Sequence, residues 1–290
     1  MTSSGLKPRR LICERLPAVR IHHLNCGTMC PYGGRLVSGV GGWTGARIVC
    51  HCLLVETADS LVLVDTGMGI EDLTHPYRRL GVPFSAAFRP SGDTSEAAVE
   101  HVRRLGFDPA DVRDIACTHL DLDHAGGLPD FPGAAVHVFT PEYDAAVRPS
   151  LRDRARYPRC HFDHRPKWHP HEVDGDAWFG FESIRVLPDI EPEILLIPLV
   201  GHSRGHAAIA VRDGDGWLLH CGDGYFNHNE IKTPHSCPPG LGAFQKLMAA
   251  DARARVANQE RLRELARSHG SEVRLFCAHD PVELDGEAGA

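Results

Sequence analysis

Short apolar runs alternate along this chain with turn signals and with stretches of helical spacing. Runs rich in Val, Ile and Leu predict strands at 19–24, 48–56, 61–65, 114–118, 135–139, 184–187, 195–200, 207–211, 217–220 and 273–277. Apolar residues recurring every three or four positions predict helices over 94–105, over 141–147 behind Thr140 as N-cap, and over 242–269, with Gly106 and Gly270 as stops. Strands interleaved with helices predict a layered α/β (α+β) fold. Two segments, 68–93 and 148–193, are rich in Pro, Arg, His and aromatics and lack periodicity. They read as lid insertions on a single domain spanning 19–290, with 1–18 as an N-terminal extension.

Polar residues of metal-binding type cluster directly after the apolar runs. The densest group follows the run at 114–118: His119, Asp121, Asp123 and His124, then Ala125-Gly126-Gly127. Residues two apart at a strand end share a face, so His119 and Asp121 form one pair and Asp123 and His124 a second as the chain turns. Such a corner presents two ligand pairs to two adjacent ions. Gly201-His202, Asp223 and His279 each follow another apolar run. In layered α/β folds, sites gather at strand ends of this kind.

Composition narrows the classes. With 290 residues, 42% hydrophobic and 24% charged, the chain is globular and not disordered. A net charge of −7 lacks the electrostatic footprint of a nucleic-acid partner. The start of the chain lacks a signal-peptide apolar stretch, and charged and polar residues interrupt the run at 48–64, so no membrane partner or span is expected. Ten scattered cysteines without zinc-ribbon spacing read as free thiols in a reducing, cytoplasmic setting. No Gly-x-Ser-x-Gly elbow is present, which disfavours a serine nucleophile.

The ordered motifs Leu63-Val64-Asp65-Thr66-Gly67, His119-x-Asp121-x-Asp123-His124, Gly201-His202, Asp223 and His279 resemble those of the metallo-β-lactamase superfamily. Asp123-His124-Ala125-Gly126-Gly127, Gly201-His202-Ser203-Arg204-Gly205-His206 and His279-Asp280 are most similar to N-acyl-homoserine lactone lactonases. The resemblance implies a four-layer αββα sandwich with a dinuclear metal centre. His119, Asp121 and His202 would then bind one ion, and Asp123, His124 and His279 the other. Asp223 would bridge them, and Asp65 would orient the motif loop from behind. Two divalent ions are implied, zinc foremost, with manganese or iron compatible with the carboxylate content. The expected chemistry is hydrolysis of a lactone or ester carbonyl of a small molecule by metal-bound hydroxide, with Asp123 as the catalytic group that orients the water and passes its proton to the leaving alkoxide. The resemblance allows a homodimer.

Two points depart from the family pattern. Most members carry His where this chain has Asp121. With Asp121 as a ligand, three carboxylates against two divalent ions leave a net +1, where the usual imidazole leaves +2. Tyr225 lies two residues after Asp223, whereas the lactonase tyrosine lies three after, at the position of Phe226. Tyr225 is carried as a substrate-binding candidate. An iron-dependent oxidoreductase such as a persulfide dioxygenase, or a non-catalytic metal sensor, are the alternative readings. His161, His164, His169 and His171 read as a polar loop within the second insertion.

Overall fold

The computed structural model describes residues 20–39, 42–173, 176–188 and 190–287, so the expected extension at 1–18 lies outside the described residues. Among the described residues, twelve strands form two six-stranded sheets. The first sheet holds β1 (Ile21–Met29), β2 (Ile48–Glu56), β3 (Leu61–Val64), β4 (Val112–Ala116), β5 (Ala135–Phe139) and β6 (Lys167–His171), in that spatial order. The second holds β7 (Asp176–Trp178), β8 (Phe181–Arg185), β9 (Ile194–Pro198), β10 (Ala207–Asp213), β11 (Gly216–His220) and β12 (Val273–Phe276), ordered from β12 to β7. β3 to β6 run parallel, as do β11 and β12; the other pairs are antiparallel.

Side-chain alternation explains the layers. Leu53, Val55, Val62 and Val64 point inward and meet Ile194, Leu196, Ile209, Val211 and Leu218 between the sheets. Their sequence neighbours Leu54 and Leu63, and Ile115 on β4, point outward and are covered by Ala98, Val99 and Val102 of the helix Ala98–Arg104. On the other outer face, Ile197, Ala208, Ala210 and Leu219 pack under Leu262 and Leu265 of the helix Ala252–His269. The order is therefore αββα, the expected four layers. β2 is buried on both faces, which is why its sequence reads as a nearly unbroken apolar run.

Each of the ten expected strands is found, with ends shifted by up to a few residues. β6 and β7 were not expected. β6 reads Lys-Trp-His-Pro-His, carries none of the Val or Ile that marks a buried strand, and is held at the sheet edge by β5 alone. The segment 148–193 thus supplies β6, β7 and β8 to the framework, and the stretch ahead of β6, 148–166, holds no strand. The segment 68–93 folds into three short helices, Ile70–Thr74, Pro76–Arg79 and Val82–Phe88. Thr140 is the first residue of its helix and not a side-chain cap; its hydroxyl donates to His171 O. The expected helix at 94–105 begins as a 3-10 turn and bends at Ala97. The expected helix at 242–269 is two helices, Pro239–Met248 and Ala252–His269, broken at 249–251. At the break, Ala250 N and Asp251 N donate to His202 O and Gly201 O, so backbone groups that a continuous helix would consume grip the His202 loop instead.

Candidate metal centre

The parallel strands β3 and β4, the pair β11 and β12, and β9 all end at one edge of the sandwich. The loops leaving them are tied together by backbone hydrogen bonds: Thr66 N to His124 O, Ala207 N to Thr118 O, and Ala278 N to Gly222 O. Asp65, just past β3, adopts a left-handed φ of 56°. That conformation is uncommon for a non-glycine residue and is tolerated best by Asn and Asp. It turns the carboxylate back toward the motif loop, where it accepts Thr118 N and Thr118 Oγ1 at 2.7 Å each and His124 Nδ1 at 2.8 Å.

Two donor groups result. His119, His202 and Asp223 each offer an atom within 4.8 Å of the others, and Asp123, His124 and His279 form a second such group. Asp223 lies between them: Oδ2 is 3.3 Å from His202 Nε2, and Oδ1 is 3.1 Å from His279 Nε2 and 3.3 Å from His124 Nε2. Two further observations fit metal ions. His119 Nε2 and Asp223 Oδ1 are buried without a hydrogen-bond partner among the described residues. His124 and His279 donate through Nδ1 to Asp65 and to Val49 O, which leaves their Nε2 lone pairs facing each other at 3.2 Å. Two such nitrogens are held that close by a shared proton or a cation.

Asp121 stands apart from the first group. Its carboxylate is gripped by the Arg156 guanidinium, Oδ1 by Nε at 2.7 Å and Oδ2 by Nη2 at 2.6 Å. Oδ2 is also 3.1 Å from His202 Nε2 and 3.5 Å from His119 Nε2. Burial alone would raise the Asp121 carboxyl, but the Arg156 cation, with His119 and His202 beside it, outweighs this and holds the group well below the usual carboxylate range. The counter-charge that faces Asp121 directly is thus the Arg156 guanidinium, which the count of three carboxylates against two ions leaves out.

Sequence reasoning missed three buried supports. Glu142, at the start of the helix Thr140–Val147, accepts Leu120 N at 3.1 Å, Tyr157 OH at 3.0 Å, Ser203 Oγ at 2.6 Å and Gly205 N at 2.9 Å. It joins the two His-bearing loops to the covering segment. A Cβ at Gly205 would lie 2.1 Å from Glu142 N, so only glycine fits there. His206 Nε2 accepts Asp223 N at 2.9 Å while its Nδ1 donates to Leu199 O, so burial keeps it neutral in one tautomer. Its place in the Gly-His-Ser-x-Gly-His stretch was the available signal. Arg156 lies amid the arginines of the second insertion, and nothing local distinguishes it from Arg152 or Arg154.

Tyr225 is corrected. It is fully buried in the outer core of the second sheet, and its hydroxyl donates to Glu283 at 2.9 Å. Phe226 faces the centre instead, stacked on His279 at 5.3 Å and 5.9 Å from the His202 ring. Contacts from Phe226 to Phe244, Phe244 to Phe88 and Phe88 to Phe84 extend an apolar row away from it. A hollow of about 40 Å³ beside His279 is lined by Ile48, Phe226, Leu241 and Val282 among others. A larger hollow of about 800 Å³, lined by Arg148, Tyr157 and Phe162 among others, contains none of the donor residues. The histidines at 161–171 do not form one cluster: His161 bonds Asp72, whereas His169 and His171 lie against His137 on β5.

Comparison with known proteins gives a consistent set. The sequence profile of the Metallo-beta-lactamase superfamily matches residues 45–268. The probable metallo-hydrolase Rv2300c of Mycobacterium tuberculosis is 42% identical over 266 residues, covering 91% of this chain and 81% of that protein. The N-acyl homoserine lactonase AttM of Rhizobium johnstonii is 29% identical over 269 residues, covering 91% of this chain and 94% of that protein. Among solved structures, an N-acyl homoserine lactone hydrolase with the product N-hexanoyl-L-homoserine bound at its catalytic metal center superposes with a TM-score of 0.70 at 21% identity, covering 93% of this chain and 96% of that one. The dizinc quorum-quenching lactonase AidC superposes with a TM-score of 0.59 at 17% identity, covering 92% and 89%.

Proposed function

The chain belongs to the metallo-beta-lactamase superfamily and is a metal-dependent hydrolase, and from that premise we propose that it opens a lactone or related ester of a small molecule at a two-metal centre. His119, His202 and Asp223 hold one ion, with Asp121 beside it, and Asp123, His124 and His279 hold the other. The observation that carries the reading is the placement of the two Asp223 oxygens against two separate histidine sets. When bound, two divalent ions, zinc foremost, supply Lewis acidity toward a carbonyl and acidify water.

The chain's own residues do the rest. Asp65 and Val49 O fix the tautomers of His124 and His279, so that Nε2 faces inward. Asp123, the least buried member of its group, orients the attacking water. It takes the water's proton on its carboxylate and returns it to the leaving alkoxide as the acyl C–O bond breaks. Phe226 excludes solvent beside His279 and offers an apolar wall to the acyl part. The naming of relatives such as AttM as lactonases supports the lactone over a phosphodiester or β-lactam. No described helix is long and apolar enough to cross a membrane. The nine described cysteines are free, which supports the cytoplasm as the working compartment.

The test is elemental analysis of the purified protein, followed by hydrolysis of a panel of lactones, aryl esters, thioesters, phosphodiesters and β-lactams. Two metals per chain with fastest turnover of lactones is the expected result. Two metals with no hydrolysis of any acyl compound overturns it.

A further inference from the structure

We propose that Arg156 is a positioning residue that compensates the charge of Asp121, so that the pair meets the first metal as a net-neutral unit. The proposal rests on the two-metal reading above.

Three observations carry it. First, the pair is buried and bidentate, with Asp121 and Arg156 each 6% exposed. Both carboxylate oxygens are engaged by the fork, so Asp121 has only the remaining lone pair of Oδ2 to turn toward His119 and His202. Second, Arg156 is anchored independently of Asp121. Its Nη1 donates to His202 O at 3.2 Å and to Met248 O at 2.8 Å. Its neighbour Tyr157 is tied to Glu142, and Asp153 is bonded by Ser150 and Arg204. The guanidinium is therefore a fixed part of the site, and its remaining capacity to bind a substrate anion is small. Third, the charges balance differently with it present. Asp121, Asp123 and Asp223 against two divalent ions leave +1, and Arg156 returns the centre to +2. A carboxylate with a permanent cationic partner acts electrostatically like a neutral donor, so Asp121 does not cost the centre its acidity.

The experiment is chelator competition on the full-length protein, reading the affinity of each metal site, with zinc and with cobalt. It compares wild type, Arg156→Met, Arg156→Lys, Asp121→His and the double variant Asp121→His/Arg156→Met. Arg156→Met frees Asp121 as an anionic ligand, and the first site tightens about tenfold, the fold-change one charge-sized interaction commonly brings. Arg156→Lys keeps the cation and stays near wild type. Asp121→His leaves a buried, uncompensated guanidinium beside the ion, and the first site weakens by at least about tenfold. Adding Arg156→Met to it removes that cation and restores the affinity. The proposal is overturned if Asp121→His and the double variant bind equally, or if Arg156→Met and Arg156→Lys lower thermal stability together while both leave affinity unchanged. Wild-type protein that takes up fewer than two metals refutes the two-metal reading itself, an outcome distinct from either of these.

Discussion

Asp65 receives the Nδ1 proton of His124 at 2.8 Å and thereby aims His124 Nε2 at Asp223 and His279. The aspartate reaches this position only because its φ is left-handed. Replacing it by Asn removes the charge that stabilises this tautomer. Asp65→Asn is expected to weaken metal binding at the His124 site by about 10–100-fold, the usual cost of losing a carboxylate behind a histidine ligand. Titration against a metal-binding dye measures it, and an unchanged affinity refutes the assigned role.

Glu142 is fully buried and satisfies four donors from three segments. Its truncation strands the backbone N–H groups of Leu120 and Gly205 and two hydroxyls. Glu142→Ala should cost about 3–5 kcal/mol in urea unfolding, in the range for breaking a buried charged network. Glu142→Gln, which keeps one acceptor, should cost less. Equal losses in the two variants would show that the acceptor oxygens contribute little.

Phe226 closes the apolar side of the centre against His279 and His202. With Phe226→Ala, kcat/KM for a long-chain lactone should fall by about tenfold or more, and for a short-chain one by much less. Burial of an aromatic side chain accounts for that size of difference. Steady-state kinetics on two chain lengths decide it, and an equal drop for both would assign Phe226 to packing alone.

Asp130 supplies a pH-dependent contribution to stability from the turn that follows the motif loop. Burial pushes its carboxyl up to about 6, the Ile70 N–H partly offsets this, and Asp72 adds to it. The folded value lies above the ordinary 3.8, so the folded state holds the proton more tightly. The associated stability is complete below about pH 4 and is lost as pH rises through about 6. Asp130→Asn does not titrate. The variant should gain on wild type by about 2–3 kcal/mol between pH 4 and pH 7, from a shift of about two pKa units. Urea unfolding of both proteins at several pH values reads this difference, and parallel profiles would refute it.

Much of the architecture was legible because its signals are local. A buried strand must be apolar over four to nine residues whatever it packs against, so the ten apolar strands stood out, and the donors that follow them stood out as polar residues at strand ends. Pairing that depends on a neighbour left no such mark. β6 exists because β5 offers it an edge, and the helix break at 249–251 exists because the His202 loop takes its N–H groups.

The sequence by itself determined the strand and helix segments and the set of motifs, since apolar periodicity and ligand spacing are properties of single segments; the four-layer order was implied by the family resemblance those motifs carry. Tertiary structure decided which of two adjacent rings, Tyr225 or Phe226, faces the centre, and that Glu142 and His206 brace it. It also decided what faces Asp121. A carboxylate among residues of metal-binding type reads as an uncompensated charge until its partner is known, and that partner is a guanidinium 35 residues away that only folding brings to 2.6 Å. Electrostatics acts through space, and no spacing along the chain encodes it.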